Sequence, residues 1–156
     1  MSSGRLTLWI AIALFVGLCL GGCGGDEEAA PAPDATKSTE EEAGGRDLLD
    51  RYNAGERDFV DAKLDRVDLS GANLSGADLS GAYLYGADLE GADLSQTTLV
   101  ATTFFRANLD NADLRGANME RALLVGATLS GTKYDDDTIW PDKYEPEAYG
   151  AVKSTE

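Results

Sequence analysis

The chain has 156 residues, a net charge of −15, no histidine, and only two cysteines, Cys19 and Cys23. The acidic balance argues against nucleic acid as a ligand, because binding to phosphates needs clustered Lys and Arg. Both cysteines precede the repetitive region, which therefore has no disulfide, no cysteine metal site and no Ser-His or Cys-His catalytic pair. We expect a non-enzymatic protein with no catalytic residue, no metal and no cofactor.

Residues 1–22 are typical of a signal peptide. Arg5 precedes an apolar run from Leu6 to Leu20 that is short for a membrane span. The next residues, Leu20-Gly21-Gly22-Cys23, resemble the lipobox of bacterial lipoproteins, where cleavage occurs ahead of a cysteine that becomes lipidated. An uncleaved anchor helix and an ordinary signal peptide are the alternatives, and either one would still export the chain.

The lipobox resemblance implies an exported lipoprotein that is anchored in a membrane through Cys23 and faces the periplasm or the cell exterior. Gly24 stands where an Asp would resemble an inner-membrane retention signal, so an outer membrane is favoured. Residues 23–45 are acidic and, after Cys23, have alanine as their only hydrophobic residue, which predicts a disordered tether. Binding by this acidic run is the alternative.

Residues 46–55 predict a short helix that caps the N-terminal end of the repeats. Leu48, Leu49 and Tyr52 share one face, Asp47 is a candidate N-cap, and Gly55 occupies the position of a C-terminal glycine. A helix of about two turns is unstable alone, so we expect it to dock on the first repeat.

Residues 56–137 contain a five-residue unit that repeats sixteen times without insertion. Alanine occurs eleven times two residues before the central hydrophobic residue, and glycine occurs eight times two residues after it. This pattern predicts that the central residue and the alanine point inward and that the glycine forms a corner at positive φ. The predicted core residues are Phe59, Leu64, Leu69, Leu74, Leu79, Leu84, Leu89, Leu94, Leu99, Phe104, Leu109, Leu114, Met119, Leu124, Leu129 and Tyr134.

Units such as Ala77-Asp78-Leu79-Ser80-Gly81 resemble those of the pentapeptide repeat proteins, whose pattern is Ala-(Asp/Asn)-Leu-x-x. The resemblance implies an all-β fold, a right-handed quadrilateral parallel β-helix with four units per coil and about four coils. Residues 138–156 are expected to form a C-terminal cap and tail, because Tyr134 to Pro141 resembles a terminal cap of that family.

Stacking four units per coil predicts three polar faces and one apolar face. The outward apolar residues of the fourth, apolar face are Tyr83, Tyr85, Phe105, Leu123 and Val125, and we call this surface the aromatic wall. We expect this wall to bind a partner, either a second copy or another envelope protein. The alternatives are that the tail from Ile139 to Glu156 covers the wall, or that these residues are tolerated without a partner.

These features favour a membrane-tethered binding or scaffold protein. The family resemblance adds a second hypothesis, DNA mimicry that inhibits a type II topoisomerase, which the 15 acids and 7 bases of residues 56–137 suit but export opposes. A third hypothesis is an extracytoplasmic carbohydrate-active β-helix that uses its stacked carboxylates. Calcium binding by Asp135, Asp136 and Asp137 is an alternative to a turn, but the run lacks the spacing of a calcium loop.

Substituting Cys23 with Ser should abolish fatty-acid labelling and membrane association, because the thiol is the predicted acceptor of the lipid. Labelled fatty acid, intact mass and membrane fractionation measure this. Cys19→Ser is the control, since Leu18 directly precedes Cys19 and no box ends there. Labelling that survives in the Cys23 variant would place the anchor elsewhere.

Overall fold

The computed structural model describes residues 39–155, with side chains described from residue 44. The predicted signal peptide, the lipidation site Cys23 and most of the predicted tether lie outside the described residues. Within residues 39–155, no helix has the length and apolarity that crossing a bilayer requires.

Helix α1 spans Thr39–Asn53, so it begins seven residues before the predicted start at residue 46. Residues 39–45, which we assigned to the disordered tether, are therefore helical. Gly44 and Gly45 explain the difference, because a Cβ on Gly45 would lie 3.1 Å from the carbonyl oxygen of Asp68. The absence of side chains at these two glycines lets the helix lie directly against the repeats.

The apolar face of α1 packs on the first turns of the repeat array. Leu48 and Tyr52 are buried, and the Tyr52 hydroxyl donates a hydrogen bond to the carbonyl of Ser75 at 2.8 Å. The guanidinium of Arg57 lies 3.7 Å from the centroid of the Tyr52 ring. After Asn53 the chain leaves the helix, and Gly55 has φ of 100°, as its predicted C-terminal position requires.

The repeats form a solenoid in which one residue of each five-residue unit pairs with the corresponding residue one turn further along the chain. Parallel bridges join Asp58 to Asp78, Tyr83 to Thr103 and Asp113 to Lys133, and all of these partners are twenty residues apart. Twenty residues contain four five-residue units, so one turn has four sides. The bridges are isolated rather than extended strands because each side ends at a corner after a few residues.

The interior contains the central residues of the repeat. All sixteen residues that the register places inside are at most 7% exposed, and the alanines two positions before them are buried where they occur after Ala62. Three buried threonines replace alanine at these positions and keep a hydrogen-bond partner. Thr102 and Thr132, for example, donate to the carbonyls of Leu79 and Leu109 at 2.7 Å.

The corners of the solenoid all use left-handed backbone. Every fifth residue from 61 to 131 has positive φ, and eight of these fifteen residues are glycine. Ala101, with φ of 56°, shows that the corner keeps its shape where glycine is absent. L-residues adopt this conformation at a cost of roughly 1–2 kcal/mol, so the bonds between turns must offset it at these positions.

The tail continues the ladder beyond the repeats with a changed register. Asn118 pairs with Ile139, and strand β1 (Lys133–Tyr134) pairs in parallel with strand β2 (Val152–Lys153). The first pair is twenty-one residues apart and the second, Lys133 with Val152, is nineteen apart. A 3₁₀ helix at Pro146–Tyr149 lies between these pairings.

Aromatic rings and a hydrogen bond between two side chains help to hold the tail against the last turn. Tyr134, Trp140, Tyr144 and Tyr149 form a continuous series of ring contacts with centroids 5.0 to 5.6 Å apart. The Tyr134 hydroxyl donates to Glu147, and this bond raises the pKa of Tyr134 to about 12. The same bond holds the pKa of Glu147 below its usual value.

The register of the array is tested by two adjacent leucines. Leu124 is 7% exposed and Leu123 is 47% exposed. Leu124→Ala should destabilise the chain by about 2–5 kcal/mol, because it leaves a cavity, and Leu123→Ala by less than half of that. Urea unfolding of both variants measures this, and equal losses would contradict the inward assignment.

The Tyr134–Glu147 contact should make the docking of the tail sensitive to acid. A carboxyl group whose pKa is lowered by folding contributes stability above its unfolded pKa, and this stability is lost as the pH falls through the folded pKa. Tyr134→Phe should therefore lower Tm at neutral pH, and its difference from the unmodified chain should shrink below about pH 4.

The control for this prediction is Tyr149→Phe, because Tyr149 is 57% exposed and its hydroxyl has no hydrogen bond among the described residues. Thermal unfolding followed from neutral to acid pH compares the three proteins. A Tyr134→Phe difference that does not change with pH would show that Glu147 is not its partner in solution.

Candidate functional site

The aromatic wall lies on one side of the solenoid and is open to solvent. Tyr83, Tyr85, Leu123 and Val125 are 48%, 37%, 47% and 64% exposed, and Phe105 is partly exposed. The wall therefore gathers apolar side chains on one side of the solenoid, whereas most outward positions on the other sides carry polar groups, with Val60 and Val100 as exceptions.

The ladder brings these residues together although they are far apart in sequence. Tyr83 pairs with Thr103, and Thr103 pairs with Leu123, which forms one column of side chains. The second column contains Tyr85, Phe105 and Val125, whose carbonyls accept hydrogen bonds from the residues one turn before. Two straight columns follow because the twenty-residue register does not change along this side.

Two residues of the tail lie beside the wall at its last turn. Tyr144 and Tyr149 join Leu123, Val125 and their neighbours in lining a groove of about 390 Å³. Tyr83, in the second turn, keeps nearly half of its surface exposed. The described tail therefore leaves the wall exposed, which opposes the alternative that the tail covers it.

Tyr144, which lines the groove, carries a polar atom without a partner among the described residues. Its hydroxyl is buried and makes no hydrogen bond there, and the same holds for the indole nitrogen of Trp140, the ring stacked on Tyr144. Burial, and then the neighbouring Tyr149, raise the pKa of Tyr144 to about 12, so this hydroxyl stays protonated at neutral pH. Sequence analysis missed this groove, because the path of the tail after Tyr134 follows no repeat.

Four basic residues surround the wall, and sequence analysis did not include them in the site. Lys63 begins the first column, and Arg66, Arg106 and Arg121 stand at corners along its edges. The wall with its corners holds these four of the seven bases of residues 56–137 and only two of the fifteen acids, Asp61 and Asp65. The signal was present in the corner column, which alternates Arg66, Gly86, Arg106 and Gly126.

The arginines lie along the array because the next corner is glycine. The Arg66 side chain passes over Gly86, and its guanidinium is 5.9 Å from the centroid of the Tyr85 ring. Arg106 passes over Gly126 and donates to the Tyr85 hydroxyl at 3.5 Å. Tyr85 is thus held between two cations at the centre of one edge.

The carboxylates on the other sides serve the backbone. Asp78, Asp88 and Asp93 each accept a hydrogen bond from the backbone N–H two residues later, at 2.9 to 3.1 Å. This turn closes the corner locally. Asp113 makes the same bond and also binds the Arg115 guanidinium, a side-chain contact that holds the pKa of Asp113 below its usual value.

The three consecutive acids after Tyr134 form a turn. Burial disfavours the charged form of Asp135, but the N–H of Gly116, the Thr138 hydroxyl and the N–H of Asp137 outweigh this effect and lower its pKa. Asp136 pairs with Lys153 at 2.5 Å. No three His, Cys, Asp or Glu side chains gather as metal ligands in the described part of the chain.

Comparison with known families gives one match. The profile of the family described as Pentapeptide repeats matches residues 58–99 and 104–133, in eight copies. No protein with a curated function matches this chain in sequence.

Solved structures of pentapeptide repeat proteins resemble the chain. One from the Arabidopsis thaliana thylakoid lumen is 33% identical over 51% of this chain, with a TM-score of 0.42, and the match spans 59% of its own chain. One from Nostoc Pcc 7120 is 34% identical over 70% of this chain and 94% of its own, with a TM-score of 0.35. One from the cyanobacterium Cyanothece 51142 is 31% identical over 53% of this chain and 63% of its own, with a TM-score of 0.21.

Proposed function

The chain belongs to the pentapeptide repeat family, whose fold is a right-handed β-helix, and on this premise we propose that it is a non-enzymatic binding or scaffold module. In this proposal the β-helix has four coils, with α1 and the tail as its caps. A lipid on Cys23 anchors it in a membrane, and the outer membrane is favoured. The module faces the periplasm or the cell exterior.

The observation that carries the proposal is the aromatic wall. Exposed apolar patches on a soluble domain mark sites of association, and Tyr and Phe contribute much of the energy at such sites. The wall stays exposed next to the docked tail, and its rim carries charge that can select a partner.

Rigid backbone supports this role. Each turn is bonded to the next through pairs such as Leu84 N–H to Thr103 O at 2.9 Å and Tyr83 N–H to Ala62 O at 2.9 Å. The wall is therefore preorganised, and binding loses little conformational entropy in the backbone.

The basic residues around the wall, which we call the basic rim, argue against DNA mimicry. A mimic of duplex DNA needs a continuous negative surface, whereas one side of this solenoid carries Lys63, Arg66, Arg106 and Arg121. Export would also separate the chain from a topoisomerase. A supercoiling assay with the full chain checks this, and potent inhibition would contradict the proposed function.

The role of the wall is tested by the double substitution Tyr85→Asp and Phe105→Asp. Two carboxylates at its centre should abolish chemical crosslinks between the chain and its partner in the membrane, because apolar contacts are replaced by charges that lose their water on binding. Crosslinked mass and yield on intact membranes measure this, alongside Tm.

The control is Val60→Asp with Val100→Asp, a pair of apolar residues in one outward column of a different side. This pair should leave the crosslinks unchanged. Crosslinks that persist in the wall variant at unchanged Tm would show that the wall is not the partner surface.

A further inference from the structure

The aromatic wall changes character from turn to turn. The first turn is charged, with Asp61 and Arg66 at opposite corners and Lys63 and Asp65 in the two columns between them. The later turns are aromatic and then aliphatic, and the fourth ends in Leu123 and Val125. Each turn thus presents a distinct row of side chains at a defined height.

We propose that the partner of the aromatic wall is a second copy of this chain, related by a two-fold axis that runs parallel to the solenoid axis. Such an axis keeps every turn at its own height and exchanges the left and right columns. Each residue of one column then meets the neighbouring-column residue of the same turn in the partner.

The first turn carries this inference because its charges become complementary. Lys63 meets the partner's Asp65, and Asp61 meets the partner's Arg66, so the two-fold axis generates four opposite-charge pairs. Asp65 accepts the Tyr85 N–H through one oxygen at 3.2 Å, which leaves its other oxygen for the lysine. The two remaining bases meet no cation, since Arg121 lies opposite the partner's Gly126 and Arg106 opposite the partner's Ala101.

The same operation pairs apolar with apolar in the second and fourth turns and places Thr103 against the partner's Phe105 in the third. Tyr83 meets the partner's Tyr85, which gives two aromatic pairs, and Leu123 meets the partner's Val125. A copy in the reversed direction would place the charged first turn against the aliphatic fourth turn. It would then desolvate Lys63 and Asp65 without partners, which opposes that arrangement.

The size of the face predicts weak association that the membrane strengthens. Four turns at a spacing of about 4.8 Å give a face about 19 Å long. A dimer through this face buries less than the roughly 800 Å² per partner of a standard interface. The two-fold axis places both N-terminal ends on the same side, so two copies anchored through Cys23, as the proposed function holds, meet at a raised effective concentration.

A charge-exchange experiment tests the arrangement. Full-length chains with two different tags are produced together, and the amount of the second tag that is recovered with the first is measured after membrane extraction. Lys63→Glu alone or Asp65→Lys alone should reduce recovery by about tenfold, because two attractive pairs become repulsive. Lys63→Glu produced together with Asp65→Lys should restore it, since both pairs are again attractive.

A second pair, Arg66→Glu with Asp61→Lys, repeats the test without changing the Asp65 bond to the backbone. Tm of each variant shows whether it is folded. Restored recovery in either mixed pair supports the two-fold arrangement. No restoration in folded mixed pairs, or no self-association of the unmodified chain, overturns it. If the Tyr85 and Phe105 crosslinks still respond to substitution in that case, the wall binds a different protein and the proposed function stands.

Discussion

The backbone ladder between turns is the interaction on which the rest of the molecule depends. Each turn donates N–H groups to carbonyls of the next turn and accepts others from it, as Leu69 does with Asp88 and Asp88 does with Val67. A single turn has no such partners, and its side chains cannot bury each other alone. The aromatic wall, the basic rim and the docked tail all take their positions from this register.

Local chemistry and long-range bonding agree at the corners. The Asp or Asn side chain before a central leucine accepts a hydrogen bond from the N–H two residues later, as Asn73 does from Ser75. The left-handed corner residue then donates to the next turn, as Gly76 does to Ser95. Seven corners hold residues other than glycine in this conformation. The ladder therefore determines the left-handed backbone conformation at these positions, and the type of residue determines how much free energy that conformation costs.

The repeat made most of the architecture predictable, because a strict period determines which side chains point inward. Leu123 and Leu124 are neighbours in sequence, yet their exposure differs as the register requires. The start of α1 was not predictable in this way, because Gly44 and Gly45 are typical of a helix boundary, and the close approach of Gly45 to the carbonyl of Asp68 is a tertiary effect. The groove beside Tyr144 was equally hidden, because the tail follows no period.

The basic rim was within reach of the sequence. Corner residues point outward like their neighbours, but the pattern of glycine there draws attention to conformation and away from the arginines that alternate with it. Arg66 and Arg106 each lie over the glycine of the following turn. If the corner residues had been treated as part of the exposed surface, the sequence would have placed Arg66 and Arg106 beside Tyr85.

The four-unit turn also limits how such a chain can change in length. A duplication of one five-residue unit preserves the inward pattern and every kind of core contact, yet it rotates everything beyond it by a quarter turn. Leu123 and Val125 would then leave the side that carries Tyr83 and Tyr85. Only the gain or loss of twenty residues keeps the side intact, so a surface shared by several turns ties the length of the solenoid to multiples of four units.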